Sequence, residues 1–168
     1  MKITIFLLAF VSLSYAVPTP DLFVGNWKED NTQRTGLSDY IYYRGLSWVK
    51  RLIVNSANFE LTMNIAKEGN IYKINGLKGP RYEEYACQLV PDGETETEVD
   101  LDQLGGLRKA TTRYEDNSLI IDLENPKTNQ VDVITIHTIY PTEPNVMIYT
   151  LIDVDSGKKL VQHMNRQL

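Results

Sequence analysis

Cysteine is nearly absent: Cys87 is the only one in 168 residues. No disulfide can form within the chain, so its core and backbone hydrogen bonds must hold it, as they can in a closed barrel. Cys87 itself reads either as a small buried apolar residue or as a bridge to another molecule. Histidine is scarce too, with only His137 and His163. No Gly-x-Ser-x-Gly elbow and no His-Glu-x-x-His helix is present, which removes the usual signatures of hydrolases and zinc proteases. There is no Asn-x-Ser/Thr sequon, no internal repeat and no low-complexity tract. No basic stripe exists. Setting aside Lys2 leaves 16 basic against 22 acidic residues, a net charge of −6, which argues against nucleic acid as a partner. No apolar run is long enough to form a membrane-spanning helix.

The first sixteen residues read as a signal peptide. Met1-Lys2 gives a basic start, Ile3 to Val11 an apolar run, and Ser14-Tyr15-Ala16 the small residues that precede cleavage. Residues 17–168 are then expected to be one secreted, extracellular domain, long enough for a sizeable core or an enclosed cavity.

After a short leader, Phe23 to Asn31 reads as a strand. Leu37, Tyr40, Ile41 and Arg44 share one face of a following helix. Gly45 can end that helix, and Leu46 to Val54 form a second one, apolar most of the way round. From Asn58 onward the pattern is strand and turn. Strands are predicted over 58–66, 71–74, 82–90, 94–100, 111–114, 119–123, 131–140, 146–154 and 159–165. Gly69-Asn70, Asp92-Gly93, Asp116-Asn117 and Ser156-Gly157 supply turn chemistry between several of them. The segment 75–80 reads as a long turn, and 91–108 as a region of extra length whose acidic part, 94–100, suits a strand with one wet face. The fold class is all-β: an antiparallel up-and-down β-barrel of about ten strands.

The order Gly25-x-Trp27-Lys28, Leu37-Ser38-Asp39-Tyr40-Ile41, Gly45 and Lys50 resembles the opening strand and helix-turn-helix lid of the fatty-acid-binding proteins, the lipid-binding barrel branch of the calycins. The resemblance covers residues 21–168, and the leader points to the secreted, nematode-type branch. It implies a ten-stranded clam-shaped barrel enclosing a fatty acid or a retinoid, with access beside the lid. It implies a carrier, not an enzyme, working as a monomer without a cofactor. Each buried methylene contributes roughly 0.8 kcal/mol, so a long acyl chain needs few polar contacts.

The resemblance also implies where the ligand head group sits. Gln162 and Met164 stand where the family's last strand carries an arginine and a tyrosine, and His137 stands where an earlier strand carries a further arginine. The arginine clamp is therefore missing. If His137 and Gln162 face inward, they can hold an acid, alcohol, aldehyde or ester. If the strand alternates the other way, Asp132, Ile134, Ile136 and Tyr140 face inward and His137 faces water. One residue of register decides between these readings. Tyr40 is a candidate for the portal or for packing the lid. Arg81 is a candidate for the portal or a solvated turn residue. Lys50-Arg51 beside Trp48 could touch an anionic membrane surface or form a solvated helix face. Asp100 and Asp102 could loosely hold calcium or simply keep a loop soluble, so no metal site is expected. Two other functions remain open: a secreted retinoid or neutral-lipid binder of the same fold, and an interaction module that carries no ligand.

Overall fold

The computed structural model describes residues 20–43, 60–78, 83–101, 106–139 and 142–168. Residues 1–16 therefore lie outside the described residues. So do Gly45, the expected second helix at 46–54, Arg81, Asp102 and Tyr140.

A short 3-10 turn, Pro20–Phe23, leads into β1 (Gly25–Thr35) and helix α1 (Leu37–Tyr43). The strands that follow are β2 (Thr62–Glu68), β3 (Ile71–Lys78), β4 (Glu83–Leu89), β5 (Asp92–Leu101) and β6 (Gly106–Glu115). The last four are β7 (Ser118–Glu124), β8 (Val131–Ile139), β9 (Glu143–Asp153) and β10 (Lys159–Gln167). All the pairings are antiparallel and run in the order β4-β3-β2-β1-β10-β9-β8-β7-β6-β5. Pairing of β1 with β10 joins the first strand to the last in the middle of the sheet, and its two ends, β4 and β5, lie side by side without pairing, so the barrel is nearly closed. This is the expected up-and-down barrel with a helix after its first strand.

Alternation builds the interior. Along β8, Asp132, Ile134, Ile136 and Thr138 are buried, while each intervening residue is partly exposed. The same two-residue period buries Leu119, Ile121 and Leu123 on β7 and Leu160, Gln162 and Met164 on β10. The β6–β7 hairpin closes through Asp116 and Asn117, both with positive φ. That is the backbone twist two-residue hairpins prefer, and short polar side chains tolerate it.

Trp27 plugs one end. It is 1% exposed, and its Nε1 donates to the Phe23 carbonyl at 2.8 Å. The Arg166 guanidinium stacks 4.3 Å from the Trp27 ring and donates to the carbonyls of Leu22 and Val24. The 3-10 turn is thus sewn to the last strand. Phe23 meets Tyr72 and Tyr114 edge-on and fills the rest of that floor.

One expected connection is corrected. Asn75 to Lys78 extend β3 instead of turning, because Asn75 and Gly76 stay in register with Asn64 and Met63 of β2. Within 91–108 the expected strand over 94–100 is present and longer. Asp92–Leu101 forms β5, with Glu96, Glu98 and Asp100 exposed and Val99 buried, and β6 begins at Gly106. Its acidity belongs to one wet strand face.

The extra residues of β1 form a bulge that the sequence pattern did not announce. Between the pairs Asp30↔His163 and Thr35↔Val161, β1 advances five residues and β10 two, so three are in excess. Asp30 holds this bulge by accepting from Thr32 and Gln33. Arg34 folds back to grip Glu29 with Nε and Nη2 at 2.6 and 2.8 Å.

Candidate functional site: the barrel interior

Helix α1 starts where the Gly36 carbonyl accepts from the Tyr40 N–H, and it packs against β10. Tyr40 and Ile41 turn inward and are buried, whereas Tyr42 is exposed. The Tyr40 hydroxyl lies 3.5 Å from Asp132 Oδ1 on β8. Tyr40 thus ties the helix to the barrel wall, the packing role of the two proposed for it.

The barrel interior holds a partly open apolar pocket of about 50 Å³. Met63, Ile74, Leu89, Ile121, Ile134 and Ile136 supply much of its wall, and Cys87 of β4 and Tyr149 of β9 line it too. Tyr149 is only partly buried by its neighbours, yet burial pushes its phenol well above the ordinary range, with the nearby Cys87 adding to the rise. The two facts agree if the open side of the ring faces the cavity and not bulk water. The phenol is then held protonated, as a hydrogen-bond donor.

Gln162 and Met164 both project into the barrel. Gln162 sits directly across from Tyr149, and Met164 across from Met147 on one side and Glu29 on the other. The Gln162 amide has no hydrogen-bond partner among the described residues, although the residue is only 5% exposed. The hydroxyls of Thr112 and Thr138 are likewise buried and unpartnered among the described residues. The interior therefore mixes an aliphatic wall with a few neutral donors and acceptors.

The expectation that His137 reaches this interior is corrected. It stands on the outward face of β8, between buried Ile136 and Thr138, and its Nδ1 is 3.0 Å from the Ser118 hydroxyl on β7. The alternation of β8 puts Asp132, Ile134 and Ile136 inside, which is the second of the two registers considered.

Among the interior residues not singled out from the sequence are Arg108 and Asp153. Arg108 is 1% exposed on the inward face of β6 and donates from Nη1 to the Leu107 carbonyl at 3.1 Å. Asp132 and Asp153 are buried directly across from one another on β8 and β9. Asp153 is satisfied by Gln130, by the Ser156 hydroxyl and by the Ser156 N–H. The alternation of Arg108, Ala110 and Thr112 along β6 was the available signal, but β6 was predicted to begin only at Thr111.

No protein-family profile matches the chain, and no curated protein sequence matches it. Solved structures do match in shape. A Schistosoma mansoni fatty acid binding protein in complex with arachidonic acid superposes with a TM-score of 0.69 at 16% identity, covering 89% of this chain and 99% of that one. The Caenorhabditis elegans lipid binding protein 8, in its apo form, gives 0.69 at 11% identity, covering 88% and 97%. Human cRBP IV gives 0.65 at 16% identity, covering 86% and 98%.

Proposed function

The chain has the barrel fold of the fatty-acid-binding proteins, and from that premise we propose that it is a carrier. It takes up a fatty acid or similar hydrophobic molecule inside the barrel, and it transports or sequesters it outside the cell. The observation that carries this reading is the aliphatic pocket inside the barrel with two inward polar groups, Tyr149 and Gln162, beside it. The wall supplies affinity by burying methylenes, and the polar groups orient a head group.

The head group chemistry follows from those groups. Gln162 and a protonated Tyr149 both donate without charge. An alcohol, aldehyde or ester is therefore held as readily as an acid, and a retinoid or neutral lipid is an alternative cargo. Both kinds of carrier share the fold, one of the similar structures being complexed with arachidonic acid and another named as a cRBP. The chemistry asked of the interior is binding, and no enzymatic step is assigned to it.

The cavity is far smaller than the roughly 300 Å³ or more of an ordinary ligand site. Cargo must therefore displace side chains, and the flexible Met63 and the Tyr149 ring are the candidates to move. The same small volume favours a second reading, an interaction module that holds no lipid. Displacement of a fluorescent fatty-acid probe from delipidated protein separates the two. Saturable binding reversed by oleate, retinol or a fatty alcohol supports the carrier, and failure of all three leaves the module.

Secretion is proposed on the residue pattern up to Ala16. Expression in cells with a secretory pathway should yield medium protein beginning at Val17. Contact with anionic membrane through Trp48, Lys50 and Arg51 is proposed on sequence alone, and vesicle transfer rates that ignore Lys50→Glu would remove it.

A further inference from the structure

The two inward hydroxyls without a partner among the described residues, Thr112 and Thr138, stand in different neighbourhoods. Thr138 of β8 pairs across with Met147, which puts it on the diagonal to Tyr149, within side-chain reach. It belongs with Tyr149 and Gln162, the groups assigned above to a head group. Thr112 of β6 does not. Its neighbours on the inward face of β6 are Ala110 and Tyr114, and the Tyr114 hydroxyl donates to Asn117 Oδ1 at 3.2 Å. Across from it on β7 is Ile121, followed on β8 by Ile134, and both belong to the pocket wall.

Thr112 is thus a polar group set by itself into aliphatic wall. Neither shape nor strand preference asks for its hydroxyl, since valine has the same outline and suits a strand as well. Buried polar atoms in folded proteins are nearly always hydrogen-bonded, so an orphan beside the ligand space asks for a partner that binding brings. The pairs Thr112↔Ile121, Ile121↔Ile134 and Ile134↔Leu151 lead round to β9, one inward position from Tyr149. At about 4.8 Å per strand and 3.4 Å per residue, that path is at most about 16 Å, and the curvature of the wall shortens it. An extended long-chain lipid is longer. A cargo anchored at Tyr149 and Gln162 therefore passes Thr112 with its middle and not with its tip.

We propose, resting on the carrier reading and narrowing it, that the cargo is a lipid oxygenated along its chain. Thr112 meets the mid-chain oxygen, while Tyr149, Gln162 and Thr138 hold the head group. The Thr112 hydroxyl can donate and accept, so it pairs with a chain hydroxyl or keto group. A plain acyl chain leaves it unpaired. A site with a buried polar group discriminates against the ligand that does not satisfy it.

Oleate and ricinoleate differ by one mid-chain hydroxyl and serve as the probes. In displacement of a fluorescent fatty-acid analogue from delipidated protein, ricinoleate should compete about fivefold better than oleate, the worth of one hydrogen bond. Thr112→Val should abolish or reverse that preference, because the ricinoleate hydroxyl is then buried unpaired. Thr112→Ser should retain it. Ligand-free Thr112→Val should melt no lower than wild type, since it removes an orphan hydroxyl. A lower melting temperature would show that Thr112 already has its partner within the protein, and would overturn the proposal. So would oleate competing as well as ricinoleate, or a ricinoleate preference that Thr112→Val leaves intact. If neither lipid displaces the analogue, the carrier reading falls and the oxygenated cargo falls with it.

Discussion

Gln162 and Tyr149 face each other across the β10–β9 pair, both directed into the barrel, and neither brings a positive charge to the interior. Head-group preference should answer to Gln162. Gln162→Leu should weaken a fatty alcohol by about 1 kcal/mol, roughly fivefold, the worth of one hydrogen bond. Gln162→Arg should shift preference toward the acid. Displacement titrations with oleate and oleyl alcohol check both. Equal loss for the two ligands in either variant would place the head group elsewhere.

The Glu29–Arg34 pair pins the bulge of β1. The Glu29 side chain is fully buried and that of Arg34 is 9% exposed, and Glu29 also accepts from the Leu61 N–H at 2.9 Å. Arg34→Ala would strand a buried carboxylate, at a cost of about 3 kcal/mol. Adding Glu29→Gln should recover part of that loss. Urea unfolding of the single and double variants measures the difference, and an additive pair would show that the two residues do not act together.

Asp92 opens β5 with its carboxylate tied into the turn. The Thr95 hydroxyl, then the N–H groups of Thr95 and Glu94, donate to it and hold its pKa at about 2, below the ordinary 3.8. Because the folded value is the lower one, this group stabilises the fold above pH 3.8. That contribution fades as pH falls toward about 2. Stability should therefore fall more steeply with acid for wild type than for Asp92→Asn in that window. A carboxyl titration by NMR that places Asp92 at or above 3.8 would refute the assignment.

Gly36 joins β1 to α1 at φ +78°, and a Cβ there would overlap the backbone carbonyl of Lys159. Gly69 also has positive φ, +59°, but open space around it. Gly69→Ala should cost about 1 kcal/mol from backbone strain alone. Gly36→Ala should cost clearly more, about 2–3 kcal/mol, since neither backbone can yield freely. Melting temperatures of the two variants give the comparison. Equal losses would mean that the helix–strand junction is looser than drawn.

Strand existence was readable because one face of each strand is buried. Val131 to Ile139 and Lys159 to Gln167 show it most plainly, each predicted to start where it does. The hairpin at Asp116-Asn117 was readable because positive φ favours those side chains. The bulge at residues 31–34 was not, since its cause is a long-range grip between Arg34, Glu29 and Leu61. Nor was Arg108, a cation that strand pattern alone would place in water.

What the sequence determined by itself was the sort of molecule this is: ten strands closing without a disulfide, a helix after the first strand, and an uncharged Gln162 where the resemblance leads one to look for arginine. Those features are local, written in alternation, turn residues and spacing. What only the tertiary structure decided was which atoms meet. Both faces of β8 are apolar, so hydrophobicity could not say whether His137 or Ile136 turns inward. The pairing of β8 with β7 and β9 fixed that choice, sending His137 to Ser118 outside and Ile136 to the cavity.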